Sequence, residues 1–239
     1  MNTPELIVLG SSSAGNGYII ECSQESLVVE LGLDFASYNK NFSKIAGCIV
    51  SHEHHDHLRK TTAEKFIRLG VPVFGNESVC EAVQGANKVE AAHKYRIGEK
   101  FLVQPISVPH NVPALAYVID HPETGRIVFA TDLSSFNYSI PNVAHWIIEA
   151  NYSEDFVFEK GFSGDEINPA TFNHLSFESA LETLEANYCA STKTVTLIHL
   201  SDSNSNAEIF KNTAIKELCL DNVFIADKGV KVPLKNTDF

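Results

Sequence analysis

Six consecutive residues, His52-Glu53-His54-His55-Asp56-His57, follow directly on the apolar run Ile45 to Val50 and precede a segment of helical character. Side chains alternate at the exit of a strand, so His52 and His54 project to the same side and can grip one ion. Asp56 and His57 fall in the turn, where the chain can curl back toward a second. Imidazole and carboxylate suit Zn, Mn or Fe, and a hydrolytic site needs a coordination position left open for water. A surface histidine cluster is the plainer alternative, but placement between strand and helix favours metal binding. His55 points away from the pair, which makes it an exposed or supporting residue.

The rest of the chain reads as strands that give way to helices. Apolar, β-branched runs at Leu6 to Leu9, Tyr18 to Glu21, Ser26 to Leu31 and Ile45 to Val50 are separated by Gly, Ser and Asn, the pattern of a meander. Strands are expected again at Phe101 to Val108 and Ala114 to Asp120. The turn formers His121 to Gly125 then lead into Arg126 to Ala130 as a hairpin. Thr61 and Glu64 form a capping-box pattern closed by Gly70, which predicts a helix over Thr62 to Leu69. Helical apolar spacing at Phe177 to Tyr188 and Ala207 to Leu218 flanks a strand at Thr194 to His199. With no repeat or linker, residues 1–239 are expected to form one α+β domain, a four-layer αββα sandwich.

The spacing HxHxDH after a buried strand resembles the signature of the metallo-β-lactamase superfamily. His110 in VPHNVPALAYVI, Asp132 in IVFATD and His199 in VTLIHLSD match the family's later ligands, each after an apolar strand. The resemblance implies two divalent metal ions, Zn or Mn with Fe as an option. His52, His54 and His110 would hold one, Asp56, His57 and His199 the other, with Asp132 bridging. Glu149 at the end of WIIEAN and His174 in NHLSFESA resemble a carboxylate and histidine pair of the branch containing bacterial DNA exonucleases and tRNase Z. Asp56, Glu149 and His174 are therefore the candidate catalytic residues, and HLSDSNSN after His199 is similar to the same branch. Glu30 stands where the family usually has Asp in DxG, a position that supports the metal loop.

The implied function is a metal-dependent phosphodiesterase, a nuclease acting through metal-held hydroxide on a nucleic acid or other phosphodiester. A small-molecule acyl hydrolase, acting on a lactone or thioester, would use the same ligands. The loop GSSSAGNG at 10–17 is neither a Walker A nor a Rossmann motif. It reads as a tight turn whose amides and hydroxyls could face a phosphate. The formal charge of −12 opposes broad nucleic-acid coating, although residues 59–100 carry +3 and the remainder −15. Arg59, Lys60, Lys65 and Arg68 could guide a backbone, whereas Glu154, Asp155, Asp165 and Glu166 weaken the case for a polymer. Five scattered cysteines without a C-x-x-C pair suit reduced thiols. No signal-peptide or membrane segment is read, so the expectation is a cytoplasmic protein.

Overall fold

The computed structural model describes residues 3–38, 42–159 and 172–236. The first sheet contains β1 (Glu5–Gly10), β2 (Gly17–Glu21), β3 (Ser26–Val29), β4 (Ile45–Ile49), β5 (Val73–Gly75) and β6 (Asn87–Lys88). Helices α1 (Lys60–Arg68) and α2 (Glu77–Ala82) connect its later strands. The second contains β7 (Tyr95–Ile97), β8 (Phe101–Val108), β9 (Ala114–His121), β10 (Gly125–Ala130), β11 (Val143–Glu149), β12 (Thr194–Ile198) and β13 (Val223–Ile225). Helices α3 (Glu154–Glu159), α4 (Phe177–Asn187) and α5 (Ala207–Leu218) accompany it, and β14 (Lys231–Pro233) returns to the first sheet beside β1.

Strand alternation explains the layering. In β9, Leu115, Tyr117 and Ile119 face the space between the sheets, where they meet Leu6, Tyr18 and Ile20 of the first sheet. Ala116 and Val118 face outward onto the cluster that includes Phe177, Ala180 and Leu184 of α4 and Phe210 of α5. On the other outer face, Ala63 and Phe66 of α1 cover Val28, Cys48 and Val50. Strands buried on both faces lack the polar alternation of a half-exposed sheet, and β9 is accordingly apolar from Ala114 to Ile119. Each fully buried aromatic, such as Tyr117 or Phe129, contributes ~1.5–3 kcal/mol through removal of its surface from water. The expected αββα sandwich is the observed one.

Topology then places the chemistry. Strands β10 to β13 run parallel to one another, as do β3 to β6. Strand β8 is antiparallel to β9 and β9 to β10, so β8 points the same way as β10. The carboxyl ends of β4, β8, β10 and β12 lead into the segments bearing His52, His110, Asp132 and His199, and Glu149 is the last residue of β11. Open α/β sheets commonly place their ligand sites at such an edge.

Two local expectations differ from the structure. Helix α1 starts at Lys60 with Arg59 at the cap and no side-chain cap bond, so Thr61 and Glu64 do not form the capping box. Contacts with the segment after β3 set this start instead: Arg59 N donates to Leu31 O at 2.9 Å, and Thr62 Oγ1 donates to Leu33 O at 2.8 Å. Strand β3 stops at Val29 because Glu30 adopts φ 65°, a conformation that ends extended pairing.

Candidate metal centre

Three strand exits carry strained backbone. Glu30, Asp132 and His199 have φ of 65°, 51° and 55°, a region costly for residues other than glycine and frequent at functional sites. The turn at each exit aims a carboxylate or imidazole inward. Gly32 is required for a different reason: a Cβ there would lie 1.7 Å from the Asp56 carbonyl oxygen. Only a residue without a side chain lets the segment after β3 approach the HEHHDH turn so closely.

The seven expected ligands converge. His52, His54, His110 and Asp132 offer one set of donor atoms within 4.8 Å of one another, and Asp56, His57, Asp132 and His199 offer a second that shares Asp132. In the first set, His52 Nε2 lies 2.9 Å from His54 Nδ1. Asp132 Oδ2 is 3.8 Å from His52 Nε2 and 3.7 Å from His110 Nε2. In the second, His57 Nε2 lies 3.2 Å from Asp132 Oδ1 and 3.3 Å from Asp56 Oδ2, and His199 Nε2 is 3.6 Å from Asp56 Oδ2. The two Asp132 oxygens thus face different sets. His55 is exposed and belongs to neither.

Supporting groups fix the rings. His110 Nδ1 contacts Asn173 O at 3.0 Å and His52 Nδ1 contacts Ser51 Oγ at 2.9 Å, leaving both Nε2 atoms for the centre. Glu30, fully buried, accepts from Ser51 N at 3.1 Å and places Oε2 3.5 Å from His57 Nδ1. The Glu in place of Asp therefore still reaches the metal loop, and its extra methylene is absorbed. His199 Nε2 is buried and has no hydrogen-bond partner among the described residues. Such an orphan is costly unless something outside the polypeptide satisfies it. The donor chemistry and this orphan both fit divalent cations.

The electrostatics separate the two sets. Burial pushes His52 down to about 2 and lowers His110, which leaves neutral imidazoles with lone pairs. Burial acts in the same direction on His57 and His199, but Asp132 and the neighbouring carboxylates outweigh it. His57 ends well above the usual histidine range and His199 at about 10. Burial would raise Asp56 and Asp132, yet the histidines around them hold both below the ordinary carboxylate range. The carboxylates thus demand positive charge here, which a divalent ion could supply in exchange for the imidazole protons.

Glu149 and His174 lie at the edge of the centre. Glu149 is fully buried, and its two oxygens accept from four N–H groups. His174 Nδ1 and His199 Nδ1 stand 2.7 and 3.0 Å from Oε1, while Leu133 N and Leu175 N stand 3.1 and 3.2 Å from Oε2. Burial tends to raise Glu149, but the hydrogen bonds from His174 and His199 prevail and lower it. Burial likewise opposes a proton on His174, and Glu149 more than restores it. A further donor set of Asp132, Glu149, His174 and His199 exists, but the four N–H donors already occupy both Glu149 oxygens.

Sequence patterns did not single out Asn16 or Ser11. Asn16, buried, places Nδ2 3.0 Å from His57 Nε2 and 3.4 Å from Asp56 Oδ2, and its backbone N donates to Asp56 O at 2.7 Å. Ser11 Oγ accepts from His199 N at 2.8 Å. The only signal for either was membership of the GSSSAGNG loop. Arg59 is occupied by Asp34 at 2.7 Å, whereas Lys60, Lys65 and Arg68 are exposed. Glu154 accepts from Ser176 Oγ, and Asp165 and Glu166 lie outside the described residues.

This αββα sandwich, with histidines and aspartates gathered at its strand exits, has the metallo-β-lactamase fold. A solved metallo-β-lactamase-fold protein, YhfI from Bacillus subtilis, superposes with a TM-score of 0.75 at 18% identity, covering 96% of this chain and 99% of that one. In sequence the chain is similar to exodeoxyribonuclease WalJ of Streptococcus pneumoniae, 24% identical over 97% of this chain and 92% of the relative. It is also similar to exodeoxyribonuclease YycJ of Bacillus anthracis, 23% identical over 84% of each. No family model matches the chain.

Proposed function

We propose that this protein is a dinuclear metal-dependent phosphodiesterase that cleaves nucleic-acid phosphodiester bonds. The observation that carries this reading is the pair formed by buried Glu149 and half-buried His174, 2.7 Å apart, beside two donor sets that share Asp132. The likeness to two exodeoxyribonucleases supports the substrate class. His52, His54 and His110 would hold one ion, Asp56, His57 and His199 the other, and Asp132 both; Zn or Mn best suits the donors, with Fe as an option. When bound, the ions supply Lewis acidity and a nucleophile at neutral pH.

The protein's own groups then divide the remaining work. Asp56, held ionised by the histidines around it, would serve the second ion and orient the attacking water beside it. His174, kept protonated by Glu149, donates to the leaving oxygen through the ring nitrogen that Glu149 does not hold. Glu149 orients His174 and His199 together. Residues 1–239 would form one domain, a reading that the core shared between the sheets supports. A cytoplasmic setting fits the five free cysteines. Among the described residues, no helix is long and apolar enough to cross a membrane.

The acyl-hydrolase alternative draws on the net charge of −12, which disfavours long polyanions. Purified protein with Mn or Zn, assayed on labelled single- and double-stranded DNA, RNA, bis-p-nitrophenyl phosphate and a lactone panel, separates the two. Phosphodiester cleavage that collapses in His174→Ala is expected. Lactone turnover without phosphodiester cleavage would overturn the proposal.

A further inference from the structure

A cleft of about 490 Å³ opens beside the centre, with His174 and His199 at one end. One wall is the loop bearing Ser12 and Ser13, and the other is the turn of residues 201–204. Both walls are fixed from behind. Ser11 Oγ accepts from His199 N and from Tyr18 OH, each at 2.8 Å. Across the cleft, Ser201 N donates to Asn151 O at 2.8 Å and Ser153 N to Asn204 O at 3.0 Å. Walls held in this way lose little freedom when a ligand enters, so their hydrogen bonds are retained as affinity.

The composition of the lining is unusual for a site that meets a phosphodiester. Ser12, Ser13, Asn151, Ser201, Ser203 and Asn204 supply hydroxyls and amides, Leu200 is the apolar member, and Asp202 adds a negative charge. Among the described residues that line it, none is lysine or arginine. Away from His174 and the metal centre, a second phosphate within this cleft would therefore meet Asp202 and no lysine or arginine. A lactone or thioester with a hydrocarbon tail would find too little apolar surface, since small-molecule sites for such groups are mostly apolar. A neutral group rich in hydrogen-bond donors and acceptors matches the lining.

We propose that this cleft binds the nucleoside adjoining the scissile phosphate, recognising sugar and base through uncharged hydrogen bonds. The inference rests on the phosphodiesterase reading and narrows it: charge is handled at the metal centre, and identity is read in the cleft. Ser13 is exposed on the rim, so a larger side chain there fills the cleft without entering the core. Asp202 disfavours a further phosphate within the cleft itself.

The test compares thymidine 5′-(p-nitrophenyl phosphate) with bis-p-nitrophenyl phosphate, using the metal-loaded wild type, Ser13→Leu and Asn204→Ala. Thymidine, which has no phosphate, serves as inhibitor. The wild type should prefer the nucleoside ester in kcat/KM, and thymidine should inhibit competitively. With one neutral hydrogen bond lost or displaced, each variant should lower the preference about fivefold and weaken thymidine by a similar factor. Circular dichroism and metal content monitor folding. Equal kcat/KM for the two esters, or a preference and thymidine inhibition unchanged in both variants, would overturn the nucleoside site while leaving the phosphodiesterase reading intact. Failure of the wild type to cleave either ester would overturn both.

Discussion

Replacing Glu149 with Gln tests how one buried carboxylate organises the site. The native group accepts two backbone N–H bonds at Oε2 and two imidazole N–H bonds at Oε1. An amide has a single acceptor oxygen, so one side must lose. If the new NH2 faces Leu133 and Leu175, it opposes two backbone donors next to Asp132. If it faces the imidazoles, His199 must accept at Nδ1 and carry its proton on Nε2, the atom aimed at the second donor set. Either outcome weakens that set. Loss of a partner orienting a ligand histidine typically costs 10- to 100-fold in metal affinity, equivalent to ~1.4–2.8 kcal/mol. The chelator-stripped protein should also lose ~1.5–3 kcal/mol for each bond to the charged group left unmade. Competition titration with a chromophoric chelator should resolve a weakened second ion in E149Q beside a nearly unchanged first. Binding of both ions within a factor of about three of wild type would refute the reasoning.

Three other perturbations have definite signs. His174→Ala leaves all seven proposed ligands in place, so inductively coupled plasma analysis should still find two ions while kcat on a phosphodiester falls about 10²- to 10⁴-fold; loss of metal would contradict the assigned role. Gly32→Ala forces a methyl group to 1.7 Å from Asp56 O. It should cost ~3 kcal/mol in denaturant unfolding and weaken the second ion, whereas wild-type stability would remove the reason given for glycine there. His145, buried and bonded to Thr194 Oγ1, is pushed down by burial to about 4. The unfolded chain takes up this proton below its ordinary value near 6.5 and the folded protein does not until near 4. Its contribution is thus complete above pH 6.5 and falls away by roughly 3 kcal/mol as pH drops to 4. His145→Gln should flatten that stretch of the stability profile, and an unchanged slope would count against it.

Much of this architecture was legible because its signals are local or ordered. Strand β8 falls at Phe101–Val108 and α5 at Ala207–Leu218, as their periodicity predicts. The HEHHDH turn announces itself, and His110, Asp132 and His199 become recognisable once each is seen to follow an apolar strand. The strands not anticipated are short: β5, β6, β7, β13 and β14 each have two or three residues and depend on neighbours for pairing. Helix α1 shows tertiary bonds replacing a cap pattern, since Thr62 reaches Leu33 where Thr61 and Glu64 had the appropriate spacing. Asn16 was hidden for the same reason. Its contacts with Asp56 and His57 span about forty residues, and no property of a Gly-Asn-Gly turn reports them.

Anomalous diffraction from crystals grown with Mn or Zn addresses the central claim most directly. Two peaks are expected, one among His52, His54, His110 and Asp132 and the other among Asp56, His57, Asp132 and His199. A single peak, or ions bound away from Asp132, would contradict it.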